Sequence, residues 1–332
     1  MSASWPDSQK ILELAGGFKA ACVIGAAAEL DLFSLLADVP LTAEQAAERL
    51  SADLRATRML LDALASLALL DKREDRYQVP EPLVPLLSSS GSRTLVPMLR
   101  HSMNIQRNWE QLAWVVKSGQ PAERRPSIRG AEADRAAFVA AMHSISGPIA
   151  DSVVARLMPM EFKQVLDVGG ASGTWTLAFL RAVPGAEATL FDLPDAIEQA
   201  RCRFEGTEFA ERIRLVPGDF YADPLPAGAD FAWVSAIAHQ HSRERNRELY
   251  AKVFAALVSG GRIGIRDIVM DASRTHPLDG ALFAINMLVG TETGGTFTFE
   301  EFAEDLQAVG FTDVDWRIKS PDMNSVVIAV KP

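Results

Sequence analysis

The chain has 332 residues, 48% hydrophobic and 23% charged, and a formal net charge of −10. That length exceeds what one hydrophobic core usually organises, so two domains are expected, and no stretch reads as the ~18 uncharged apolar residues of a membrane span. The acidic balance opposes binding to a phosphate backbone, while Cys22 and Cys202 offer neither a disulfide framework nor a metal-ligand spacing. A reducing cytoplasm is therefore expected, with no nucleic-acid or membrane partner, and Met1 to Lys10 lack the pattern of an export signal.

Residues 11 to 35 are apolar on a near-helical period over more than half the circumference, so the helix they form must be covered by something. Thr42 with Gln45 three residues on is a capping box for a helix through Leu50. A second helix over Leu54 to Leu69 buries Met59, Leu60, Leu61, Leu64 and Leu67, and Leu70 to Val79 reads as two strands around a charged turn, Lys72 to Arg76. Helices followed by a hairpin make a winged helix. The exposed face of its second helix carries Asp53, Arg55, Arg58 and Asp62, without the basic excess of a DNA-reading helix, so a dimerisation role is expected for residues 1–95. Residues 96–160 read as a helical linker broken by a loop over 119–130.

From Phe162 the pattern changes to strands alternating with helices, the sign of a doubly wound parallel α/β sheet over 161–332. The strands are expected at Val165 to Val168, Ala188 to Phe191, Ile213 to Val216, Phe231 to Ser235 and Arg262 to Val269. The helices between them are Thr174 to Ala182, Asp195 to Phe204 and Glu244 to Leu257. A helix over Phe299 to Val309 and strands at Val314 to Ile318 and Ser325 to Val330 close the chain, the last pair antiparallel.

The strongest local signal is Asp167-Val168-Gly169-Gly170-Ala171-Ser172-Gly173, an apolar strand entering a glycine-rich turn that opens a helix. Glycines there remove the Cβ atoms that would block a ligand, and the helix start offers free backbone N–H groups. The spacing is not G-x-G-x-x-G, which favours an adenosine-containing ligand smaller than a dinucleotide. Asp192 ends the second strand, where a carboxylate accepts from ribose hydroxyls. Asp219, in Gly218-Asp219-Phe220, follows the third strand; it suits an adenine amino group with Phe220 on the ring face, or else a simple turn cap.

With these motifs the chain resembles the S-adenosylmethionine-dependent O-methyltransferases that join a winged-helix dimerisation domain to a Rossmann-like catalytic domain, as in caffeate-type, acetylserotonin-type and bacterial natural-product enzymes. Phe191-Asp192-Leu193-Pro194, Gly260-Gly261-Arg262 and Asn286-Met287-Leu288 extend the likeness over nearly the whole chain. It implies S-adenosylmethionine as cofactor, held by Asp167, Gly169, Gly170, Gly173, Asp192, Leu193, Asp219, Phe220 and Ser235, a small-molecule acceptor, and a homodimer. It also implies a catalytic histidine at His239, oriented by Asp267. An imidazole titrates near neutrality and takes a proton from a hydroxyl as the oxygen attacks a sulfonium methyl.

Three features depart from the family pattern. Ala171 replaces a glycine, His-Asp-Trp has become His239-Gln240-His241, and the second orienting acid is missing where Gly295-Thr296-Phe297 stands. S- or N-methylation without a base, other chemistry on the same cofactor, and a winged-helix regulator are the competing readings. Trp109, Met142, His143, Phe283, Asn286 and Met287 are the expected acceptor pocket, apolar bulk with few polar tips.

Overall fold

The computed structural model describes residues 5–332, with the backbone alone at His143 and Ile145. Two compact units emerge: Met1–Glu110 with Arg124–Ile145, and Gln111–Glu123 with Ser146–Pro332. The segment expected as one helical linker is thus divided between them.

In the N-terminal unit the apolar run forms three helices, α1 (Ser8–Gly16), α2 (Phe18–Glu29) and α3 (Leu32–Asp38), broken at Gly17 and at Asp31, whose φ is +56°. There follow β1 (Leu41–Thr42), α4 (Ala43–Leu50), α5 (Leu54–Ser66), β2 (Asp71–Arg73), β3 (Arg76–Gln78), α6 (Val84–Leu87) and α7 (Val96–Trp109). The capping box forms, Gln45 N–H donating to Thr42 Oγ1 and Thr42 N–H to Gln45 Oε1. The wing has three strands in the order β1-β3-β2, one more than expected, because Leu41 and Thr42 pair with Tyr77 and Arg76. Leu32, Phe33, Leu36, Leu61, Leu64 and Tyr77 make its core. α1 buries none of its residues.

The chain continues through α8 (Leu112–Ser118) and α9 (Ala131–Leu157), the latter contributing to both units. The C-terminal unit then runs β4 (Gln164–Val168), α10 (Thr174–Ala182), β5 (Glu187–Asp192), α11 (Pro194–Phe204), β6 (Ile213–Pro217), β7 (Ala229–Ser235), α12 (Arg243–Ala256) and β8 (Leu257–Asp267). It ends with β9 (Val269–Met270), α13 (Leu278–Gly290), β10 (Phe297–Thr298), α14 (Phe299–Val309), β11 (Thr312–Ile318) and β12 (Ser325–Val330).

Its seven-stranded sheet has the order β11-β12-β8-β7-β4-β5-β6, parallel from β8 to β6, with β12 antiparallel to both β8 and β11. Neighbouring residues on a strand face opposite ways, so a sheet covered on both sides needs continuous apolar strands. Val168, Val234 and Ile265 pack with Tyr250, Val253 and Leu306 on one face, while Val165, Phe231 and Trp233 pack with Trp175, Phe179 and Val154 on the other.

Contrary to the sequence expectation, two stretches, Ser8–Glu29 and Ala131–Leu157, are long and apolar enough to cross a membrane by length and composition. The first is interrupted at Gly17, and the second places Ala150, Val153, Val154 and Leu157 in the core of the C-terminal unit.

Candidate active site

After β4 the backbone turns through Gly169 (φ +68°) and Ala171 (φ +47°) to Gly173 (φ +74°), which opens α10. A Cβ on Gly169 would lie 2.4 Å from Ile237 Cδ1, one on Gly170 2.8 Å from Leu190 Cγ, and one on Gly173 2.0 Å from Phe204 Cζ. The glycines therefore let the turn pack closely against Ile237, Leu190 and Phe204, a reason for them beside the expected one of leaving space for a ligand. Gly169 N–H donates to Phe191 O (2.8 Å), Ala171 N–H to Asp192 Oδ2 (2.7 Å) and Gly173 N–H to Gly170 O (2.8 Å). Arg203, not singled out by the sequence, donates from Nη1 to Ser172 O, Ser172 Oγ and Thr174 Oγ1 and ties the turn to α11.

Asp192 ends β5 with one oxygen on Ala171 N–H and the other on Leu193 N–H at 2.7 Å, and burial raises its pKa. Each oxygen keeps lone-pair capacity for a further donor. Leu193 is exposed beside it. Asp219 accepts from Tyr221 N–H through Oδ1 (2.8 Å) and so caps its own turn, and its Oδ2 meets no donor among the described residues. Lys252 fixes this loop by donating to the carbonyls of Phe220, Tyr221 and Asp223 at 2.8, 2.7 and 3.0 Å. Phe220 Cε1 would stand 3.5 Å from a Cβ on Gly169. Two part-open carboxylates and an aromatic edge at the carboxyl ends of β5 and β6 fit an adenosine, whose ribose hydroxyls and amino group are donors. Asp167 differs: it is 1% exposed, accepts from Thr176 Oγ1 at 2.6 Å, and burial pushes its pKa up to about 7. Its side chain braces the turn from within instead of facing a ligand.

Beyond Ser235, Ala236 adopts φ +58° and a short 3-10 turn, Ala238–Gln240, carries His239. The imidazole is buried, with Nδ1 2.9 and 3.0 Å from the two oxygens of Asp267. Asp267 also accepts from the backbone N–H groups of His239 (3.2 Å) and Ile268 (2.8 Å). A carboxylate only accepts, so Nδ1 is assigned the proton and Nε2 keeps its lone pair. Phe283 meets the ring edge-on, centroids 4.9 Å apart.

The backbone here is held from two further sides. Asn246 Nδ2 donates to Ala238 O at 2.9 Å and Gly295 N–H donates to His239 O at 2.9 Å, while a Cβ on Gly294 would lie 2.5 Å from that same oxygen. Where the family pattern has a second acid, this chain thus brings backbone against His239. His241 packs edge-on against Tyr221 (4.7 Å), whose ring also meets Phe220 (4.7 Å) and Arg245 (4.4 Å), and burial with the Arg245 charge lowers the His241 pKa. Ser242 caps α12.

Of the acceptor-pocket candidates, Trp109 and Met142 belong to the N-terminal unit and Phe283, Asn286 and Met287 to the C-terminal one. Phe283 is in contact with His239. Met287 is buried, which makes it core, and the His143 side chain lies outside the described residues.

A doubly wound sheet with adenosine-matched carboxylates at its strand ends, beside a carboxylate-held histidine, defines a class: a Rossmann-like transferase with a nucleoside-bearing cofactor. Residues 109–312 match the model of the O-methyltransferase domain and residues 12–81 that of the O-methyltransferase dimerisation domain, so the chain belongs to this O-methyltransferase family. It is 30% identical to 3-hydroxy-5-methyl-1-naphthoate 3-O-methyltransferase of Streptomyces sahachiroi, over 97% of this chain and 94% of the relative. It is likewise 30% identical to the tetracenomycin polyketide synthesis 8-O-methyl transferase of Streptomyces glaucescens, over 97% and 96%. The crystal structure of human N-acetylserotonin methyltransferase in complex with S-adenosylmethionine superposes with a TM-score of 0.84 at 27% identity, covering 100% of this chain and 99% of that one. The protein is an S-adenosylmethionine-dependent methyltransferase acting on small molecules.

Proposed function

We propose that this enzyme methylates a hydroxyl on a compact aromatic acceptor, with His239 Nε2 as general base and Asp267 as the group that orients it. The carrying observation is the bidentate approach of Asp267 to His239 Nδ1 at 2.9 and 3.0 Å, which leaves Nε2 as the one ring atom able to take a proton. The cofactor, when bound, supplies a methyl group on a positively charged sulfur. Asp192, Asp219 and Phe220 would hold its adenosine end, beside the turn from Gly169 to Gly173. The naphthoate and polyketide acceptors in the relatives' names support an aromatic hydroxyl. The test is methyl transfer to a panel of hydroxyarenes, thiols and amines by the parent and by His239→Ala: a hydroxyarene product lost in the variant is expected, and full turnover in the variant would remove the base.

Three broader readings go with it. A homodimer is supported by the dimerisation match over 12–81 and by the exposed Leu12, Leu14 and Phe18. A small-molecule role without nucleic acid is supported by the paired charges of the winged helix, where Arg58 binds Glu44 and Lys72 binds Asp62. Two free cysteines, Cys22 and Cys202, suit a reducing cytoplasm.

A further inference from the structure

Arg266 lies near the carboxyl end of β8, is 3% exposed, and pairs in register with Ser235, the last residue of β7. Its Nε and Nη2 donate to Asn324 Oδ1 at 3.0 and 2.7 Å, its Nη1 donates to Ser235 Oγ at 3.2 Å, and the guanidinium sits 4.6 Å from the Trp175 ring. All of these partners are neutral. Among the described residues no carboxylate forms an ion pair with it: Asp267 is turned to His239, and Asp322 accepts from Ser320 and Asn324. Burial lowers the Arg266 pKa to about 10, against the nearby charges of Asp267 and Asp322, so the group stays cationic at neutral pH. A guanidinium has five N–H donors, and these contacts use three. One N–H on Nη1 and one on Nη2 are left, the pair that a carboxylate accepts side by side.

A buried cation with no carboxylate in direct contact is unfavourable, and such a group in a binding site is matched when a ligand brings the anion. The sheet order says which ligand. Asp192, Gly169, Ser235 and Arg266 stand at the carboxyl ends of the adjacent strands β5, β4, β7 and β8, in that order. Three strand spacings, about 14 Å, separate the first from the last. A cofactor whose ribose meets Asp192 and which runs along this edge presents its amino-acid end toward Ser235 and Arg266. We propose that Arg266, steadied by Ser235 and Asn324, binds the carboxylate of the cofactor's amino-acid end. This rests on the assignment of S-adenosylmethionine as cofactor.

The test is a calorimetric cycle on the full chain without acceptor, pairing S-adenosylmethionine and its decarboxylated analogue with the parent and Arg266→Gln. In the parent, removing the ligand carboxylate should weaken binding on the order of 10- to 100-fold, the scale of hydrogen bonds to a charged group. In Arg266→Gln the two ligands should bind alike, and 5′-methylthioadenosine, which lacks the amino-acid end, should bind both proteins equally. If the parent does not distinguish the two ligands, or if Arg266→Gln still distinguishes them as the parent does, the proposal is overturned while cofactor binding stands. If the parent binds neither S-adenosylmethionine nor S-adenosylhomocysteine, the cofactor assignment itself fails. Arg266→Lys, which keeps a cation, replaces Arg266→Gln if that variant does not fold, and should retain part of the preference for the carboxylate.

Discussion

A histidine that takes a proton from its substrate must hold its own proton on the other nitrogen, and here that constraint falls on Asp267. Asp267→Asn keeps the shape but removes the charge that fixes the tautomer, so kcat should fall about 10- to 100-fold with cofactor affinity unchanged. His239→Ala should cost about 10² to 10⁴ in kcat, measured by product formation under saturating cofactor. His241 rests on Tyr221 instead of Asp267, so His241→Ala should leave kcat within a few-fold of the parent. A different residue governs stability. Asp167 has its pKa raised from 3.8 to about 7 by burial, so the folded chain retains a proton that the unfolded chain releases across that interval. Stability therefore decreases as pH rises from about 4 to 7. Asp167→Asn keeps an acceptor for Thr176 and removes the titration. Its melting temperature relative to the parent should climb through that window, by about 2–4 °C for each kcal/mol, and level off above it. A difference that stays constant with pH would show that Asp167 does not titrate on folding.

At the scale of elements, what depends on neighbours in sequence was legible and what depends on neighbours in space was not. The Thr42–Gln45 box and the strands that are apolar on both faces could be read because capping and burial leave a short-range pattern. The breaks at Gly17 and Asp31 inside one apolar run leave no such pattern, nor does the third strand of the wing, whose two residues gain their identity only by pairing with β3. The glycine-rich turn was visible as a motif, but its packing was not, since Ile237, Leu190 and Phe204 reach it from elsewhere in the chain. His239 and Asp267 were found by resemblance. Asn246 and Gly295, which hold the histidine's backbone, were missed because a side chain or amide that serves a carbonyl has no sequence signature. Arg203 belongs to the same class and supplies a prediction. With its three contacts to Ser172 and Thr174 removed, Arg203→Ala should loosen the turn and weaken the cofactor by about 0.5–1.5 kcal/mol for each hydrogen bond that matters. The change should appear in the KM for S-adenosylmethionine, with kcat nearly unchanged.

For the whole molecule the question is what covers its first helices. α1 buries none of its residues, and Ile11, Leu12, Leu14 and Phe18 are exposed by 54%, 72%, 67% and 57%. Beside them lies an open hollow of about 730 Å³ lined by Leu12, Val23, Ala63 and Leu67. Isolated apolar side chains on a surface need no explanation, but a contiguous apolar face on a helix and an apolar hollow next to it mark an association site. The dimerisation match over residues 12–81 points to a second copy of the chain as the occupant. Light scattering at low micromolar concentration should report twice the 36.0 kDa of the chain. The double variant Leu12→Asp with Phe18→Asp should report one chain: each carboxylate would have to be buried without a partner in the interface, whereas in the free monomer both positions face water. The same exposure means that the folded monomer loses little by the substitutions, so circular dichroism should be unchanged and a loss of mass can be assigned to association. A parent mass of 36.0 kDa, independent of concentration, would leave these helices without the partner proposed for them.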